Sequence, residues 1–283
     1  MSTSARVRRQ RPSRVTPRPQ LRGHPARYLL SHGNLLLRIT WSDLRTKYAG
    51  SLLGITWVVI APAILLSLYA AVYLVIFRVR VAGLGDWGYV LYIFAGLVPY
   101  LMTAEALSGG VGSVILNRGV LNSTVFPIDL APVKAVLGAQ GTMLVGMLGT
   151  AIGVVAVGRG SWAILLLPLV WALQVMALIG VTWIVSLVNV VFRDLQNLIT
   201  LLLFVLMIAS PIAYTPAMVP HSLRAIIYLN PFAYFVLTYQ RILVLGQLPD
   251  PTMAVVLVAS SLLVFVAGGW FFARVKSVMM DHV

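Results

Sequence analysis

The chain carries seven acidic residues, Asp43, Asp86, Glu105, Asp129, Asp194, Asp250 and Asp281, spread along 283 positions. Acid–base catalysis by paired carboxylates, or a carboxylate-held metal ion, needs several such groups close together, and this spacing offers no cluster. His24, His32, His221 and His282 form no metal-ligand pattern, and the absence of cysteine removes disulfides, thiolate metal sites and cysteine nucleophiles. Lys47, Lys134 and Lys276 are the only lysines, and none stands in a G-x-x-x-x-G-K-[ST] loop. No nucleotide or metal site is therefore expected in this chain. Glu105 is the acid nearest to an apolar segment, where it either lines a path or pairs with a basic group. A carrier coupled to protons or sodium keeps ionisable groups near the bilayer centre, and none is expected there. Tyr69 and Tyr73, one helical turn apart, could offer aromatic faces and hydroxyls to a passing ligand. Trp57, Phe204 and Met207 join them as candidates for lining a passage. The competing role for all of these is packing and the interfacial aromatic belt.

The elements that must position these residues are membrane helices. Hydrophobic residues make up 60% of the chain, charged residues 10%, and the mean hydropathy is +0.93; a soluble domain has about 45–50% apolar and about 25% charged residues. The fold class is all-α and integral to the membrane. At roughly 20 apolar residues per crossing, six spans fit: about Leu52–Phe77, Tyr89–Leu107, Leu130–Val157, Trp162–Val191, Leu195–Ala213 and Met253–Phe272. Tyr214–Asp250 is too apolar for an ordinary loop, yet Pro216, Pro220, Pro231 and Pro249 cut it into pieces too short to cross. It is read as short re-entrant or capping helices between spans five and six. No repeat of clear period appears, which leaves an inverted-repeat carrier without support.

Upstream, residues 29–50 hold an amphipathic interface helix, with Leu37, Trp41, Leu44 and Tyr48 on one side and Arg38, Ser42 and Arg45 on another. Residues 1–28 read as a disordered basic tail, with Pro12, Pro17, Pro19 and Pro25 and few apolar residues. Residues 51–283 form the transmembrane domain. Eleven of the 21 Lys and Arg residues precede Ser51, and such segments stay cytoplasmic and attract anionic lipid rather than nucleic acid. Both termini are expected on the cytoplasmic side.

Several ordered segments resemble the ABC-2-type permeases that export polysaccharides such as O-antigen, capsule, teichoic acid and cell-wall galactan. Asp43-Leu44-Arg45, Tyr48, Ser51, Leu53-Gly54, Trp57 and Pro62 are similar to the family's opening signature, and Ala95–Tyr100 to its second span. Asn117 and Phe126-Pro127 are similar to its cytoplasmic loop. Phe192-Arg193-Asp194, Ser210-Pro211-Ile212 with Tyr214, and Leu229-Asn230-Pro231 with Tyr239 and Arg241 are similar to its second half. The likeness runs from about Leu35 to Arg274. Ile128 stands where the family often has a basic residue after Phe-Pro, and the basic tail is longer than usual.

The resemblance implies a permease homodimer in a bacterial inner membrane, paired with two copies of a separate ATPase that uses ATP and Mg. It implies that a polymer on a polyprenyl diphosphate passes between the two permease copies. It also gives Asn117, Arg118, Phe126 and Pro127 a role in coupling to the ATPase, against the alternative of an ordinary connector. Three rivals remain: an ABC-2 exporter of a small hydrophobic compound or lipid, a membrane glycosyltransferase, and a passive channel. The glycosyltransferase lacks the acidic cluster it would need. The Ala-, Val- and Arg-rich composition suits a GC-rich genome, which makes a cell-wall galactan the specific expectation.

Overall fold

A computed structural model describes residues 25–76, 78, 81, 83–117 and 127–280. Arg118, Phe126 and most of the basic tail lie outside them. Among the described residues there is no strand. The helices are α1 (Pro25–Ser31), α2 (Gly33–Lys47), α3 (Trp57–Ala71, preceded by a 3-10 turn from Gly54 and continued by a π turn, Val72–Ile76), α4 (Asp86–Leu116), α5 (Leu130–Gly138) and α6 (Gln140–Ala156). After a 3-10 turn, Trp162–Leu166, come α7 (Leu167–Val191), α8 (Leu195–Ala209), α9 (Arg224–Leu229), α10 (Pro231–Gln240, continued by a π turn, Arg241–Leu245) and α11 (Pro251–Met280).

Among the described residues, five segments are long and apolar enough to cross a membrane: Gly54–Ile76, Asp86–Leu116, Leu130–Ala156, Trp162–Val191 and Pro251–Lys276. The expected fifth span, Leu195–Ala213, is shorter. Its helix stops at Ala209 after 15 residues, because Pro211 lacks the amide a continuing helix needs and disfavours helix at Ser210. The expected second span is longer. Its helix runs past Leu107 to Leu116, because Gly110 and Gly112, which read as loop residues, are small enough to let Thr182 and Gln196 approach the helix.

The core is built around α4. It packs against α3, α5, α6, α7, α8 and α10, and 78% of its most apolar window is buried against 6% for the first span, so α4 is the central post and α3 stands at the periphery. In lipid there is little hydrophobic drive between helices, and close approach of small residues supplies the packing instead. Gly146 of α6 receives Val98, Gly153 receives Leu91, and Gly110 receives Thr182 of α7. The tightest crossing joins α7 to α11. A Cβ added at Gly180 would lie 2.3 Å from the Val264 carbonyl oxygen, and one at Gly268 would lie 2.7 Å from the Gly180 Cα.

Buried polar side chains bind the bundle across helices. Gln174 of α7 donates to the Pro99 carbonyl at 3.1 Å and the Thr103 hydroxyl at 2.9 Å, and its own carbonyl accepts from the Tyr239 hydroxyl at 2.9 Å. The Gln240 amide donates to the carbonyls of Pro211 and Ile212, each at 3.0 Å, and of Tyr92 at 3.4 Å. Asn230 caps α10 through the Phe232 amide and donates to the Ser210 hydroxyl at 2.8 Å. Together these contacts fold Ser210–Gly246 back against the first turns of α4, where the Tyr89 hydroxyl donates to the Ala213 carbonyl at 2.6 Å. The expected re-entrant or capping segment takes this form.

Candidate functional site

Two groups of the sequence-predicted residues come together, at opposite ends of α3. The first is at the junction of α2 with the bundle. Positions 36, 40, 43 and 47 follow the helical repeat and form one face of α2. Leu36 and Thr40 are buried on that face, whereas Leu37 and Trp41 point outward. Leu44 and Tyr48 are half-buried. Of the apolar stripe expected to face lipid, Leu37 and Trp41 are exposed, and Arg45 stacks over the Trp41 ring at 5.2 Å.

The C-terminal part of the face that buries Leu36 and Thr40 makes two ion pairs of opposite polarity. Lys47 meets Glu105 of α4 at 2.8 Å, and Asp43 meets Lys134 of α5 at 2.6 Å. The second oxygen of Glu105 accepts from the Thr142 hydroxyl of α6 at 2.8 Å, so one carboxylate joins three helices. Partial burial works to lower the Lys47 pKa. The hydrogen bond and the charge of Glu105 outweigh it and leave that pKa above its ordinary 10.5. Lys134 also donates to the Asn117 side chain at 3.3 Å, and Asn117 donates to the Ser113 carbonyl at 2.7 Å. Asn117, at the end of α4, is thus linked through Lys134 to Asp43 on α2. These charged residues rim a cavity of about 440 Å³ beneath α2.

At the far end of residues 118–126, Pro127 is buried and its carbonyl accepts from the Leu130 amide at 3.1 Å. Asp129 is fully buried and pairs with Lys276 of α11. Its carbonyl accepts from the Trp183 indole at 3.0 Å. Burial first, and then the Asp129 charge, push the Tyr28 hydroxyl pKa well up. The loop expected to carry coupling is therefore anchored at both ends. Sequence reasoning named Asn117 and Pro127 but missed Lys134 and Asp129. A lone lysine within the expected third span was the signal available for Lys134.

The second group lies on α3 and α8. The rings of Tyr69 and Tyr73 stack with centroids 6.2 Å apart and planes at 24°, and the Tyr69 hydroxyl donates to the Met207 sulfur at 3.2 Å. The Tyr100 hydroxyl of α4 donates to the Leu203 carbonyl, which fixes α8 beside the same patch. Phe204 is separate: it is exposed and borders an apolar recess of about 390 Å³ with Ile208, Tyr214 and Ile227. Trp57 also stands apart. Its indole donates to Ser51 at 2.9 Å, and it sits on the order of 18 Å along the helix from Tyr69 at 1.5 Å per residue.

Residues 34–244 match the family model described as ABC-2 type transporter. The chain is 27% identical over 242 residues to an O-antigen export system permease protein of Myxococcus xanthus, covering 84% of this chain and 91% of that protein. It is 27% identical over 217 residues to an O-antigen export system permease protein of Klebsiella pneumoniae, covering 76% and 82%. A polysialic acid transport protein of Escherichia coli is 22% identical over 199 residues, covering 69% and 75%.

Proposed function

We propose a function from one premise: the chain belongs to the ABC-2 type transporter family, whose model matches residues 34–244. It is the membrane-spanning permease subunit of an ABC exporter of polysaccharide. The observation that carries this is the extent of likeness to O-antigen export permeases, which reaches 91% of the Myxococcus protein's length. The sequence has no P-loop, in keeping with a division of labour in which a separate ATPase subunit supplies the energy.

In the finer reading, two copies of this chain work with two ATPase subunits, which use ATP and Mg, in a bacterial inner membrane with both termini cytoplasmic. The substrate is a polymer carried on a polyprenyl diphosphate, with a cell-wall galactan as the specific candidate. Tyr69, Tyr73 and Met207 supply the aromatic and polarisable wall along which sugar rings slide. Asn117, Arg118, Phe126 and Pro127 take the push of the ATPase, and the links from Asn117 to Lys134 and from Lys134 to Asp43 support displacement of that loop together with α2.

Conditional depletion followed by locating the polymer tests this reading. Spheroplasts are treated with an impermeant glycan label before and after lysis. Full-length polymer that becomes labelled only after lysis is the expected result. An unchanged distribution overturns polysaccharide export and leaves the small-molecule exporter. Loss of polymer synthesis with accumulated precursors points to a synthase.

A further inference from the structure

We propose that the cavity beneath α2 binds the headgroup of a zwitterionic phospholipid, with the phosphate facing lysine and the ammonium facing carboxylate. Its volume, about 440 Å³, falls in the range of small-molecule sites. It lies where α2 ends and the first span begins at Gly54, and the end of a span meets the headgroup layer. Its walls combine the apolar Leu44, Val58 and Ala135 with the polar Asn117 and Thr142. Thr40 also lines it. That residue is 7% exposed, and its hydroxyl has no hydrogen-bond partner among the described residues. A buried hydroxyl without a partner is costly, and because this one faces away from the open cavity, a turn about χ1 brings it to an acceptor held there.

The rim selects the charge of the ligand. It carries two ammonium groups, Lys47 and Lys134, and two carboxylates, Asp43 and Glu105, so its formal charge is zero. An anionic head would meet both carboxylates, and a head without charges would leave the dipolar rim unused. On α2, Asp43 and Lys47 are one turn apart, about 5–6 Å between Cβ atoms, which matches the span of a phosphate and an ammonium on one headgroup. Their side chains are 54% and 56% exposed and reachable from the leaflet. An ammonium has three donors and a carboxylate two oxygens, so the ligand adds to the existing ion pairs without breaking them. This site concerns the membrane around the protein and does not depend on the nature of the exported polymer.

Native mass spectrometry of the delipidated full-length chain tests the assignment with phosphatidylethanolamine, phosphatidylglycerol, diacylglycerol and a polyprenyl diphosphate as probes. Phosphatidylethanolamine is expected to be retained about tenfold better than phosphatidylglycerol or diacylglycerol, the worth of one charge-assisted hydrogen bond. D43N is expected to abolish that preference. T40V is expected to weaken retention severalfold while T40S preserves it, and both keep the ion pairs that hold α2. Equal retention of the three glycerolipids, or a preference unchanged in D43N and T40V, overturns the proposal. Tighter, competitive binding of the polyprenyl diphosphate also overturns it and reassigns the cavity to the anionic head of a substrate.

Discussion

Lys47 and Glu105 are 58 positions apart in the sequence and 2.8 Å apart in the structure. One belongs to a helix that precedes the first span and the other to the central helix of the bundle. Their contact, with that of Asp43 and Lys134, joins the face of α2 that buries Leu36 and Thr40 to the bundle.

Removing this pair should loosen α2 more than it unfolds the protein. Lys47 is 56% exposed, and an exposed pair contributes about 0.2–1 kcal/mol. E105Q is expected to shift the melting midpoint little while raising the mobility of a spin label at Trp41→Cys, in a chain with no native cysteine to interfere. The exchange K47E/E105K is expected to restore the low mobility. Equal mobility in all three proteins would show that the contact does not hold α2.

Lys47 also gives a signed pH dependence. Its pKa is raised in the fold above 10.5, so its contribution is complete below about 10.5 and is lost as pH rises through the folded value. The same spin label is expected to keep its mobility between neutral pH and about 10 and to loosen only in stronger alkali. K47R should move that loosening to higher pH, since arginine keeps its charge.

The crossing of α7 and α11 should tolerate no side chain. At Gly180 the obstacle to a Cβ is backbone of Val264, which cannot rotate away. G180A is expected to destabilise by about 1–3 kcal/mol, the usual cost of overpacking, read as a lower melting midpoint in detergent. Gly149, with open space around its Cβ position, serves as the control, and G149A should be neutral or mildly stabilising.

Gln240 should matter to the folded-back segment rather than to the bundle as a whole. Its amide holds Pro211, Ile212 and Tyr92. Q240L leaves buried carbonyls unpaired at about 1–3 kcal/mol. Hydrogen exchange is expected to rise over 210–246 while α7 and α11 stay protected.

The aromatic patch predicts a split between substitutions. Y73F keeps the stacked ring and should leave surface polymer near its normal level. Y73A should lower it by roughly threefold to tenfold, in line with aromatic contacts worth about 0.5–1.5 kcal/mol, with ATP hydrolysis by the partner retained. Equal export by both variants would remove Tyr73 from the path.

The sequence by itself determined the class of the molecule and most of its helices. Uninterrupted apolar runs report the absence of water along a span, and that local property needs no tertiary context, as Trp162–Val191 illustrates. Pro211 marked the end of α8 only in retrospect, because a proline gives a break without telling how deep in the bundle it lies. Ser108, Gly109 and Gly110 read as a loop, yet they continue α4, since the benefit of a glycine at a helix crossing depends on the partner helix. The amphipathic character of α2 was visible, but the inward role of Asp43 and Lys47 was not, because Glu105 and Lys134, their partners on α4 and α5, lie far away in sequence. A charge pattern records what a helix can pair with. Only the tertiary structure, by placing residues far apart in sequence within 3 Å of each other, decided which pairs form.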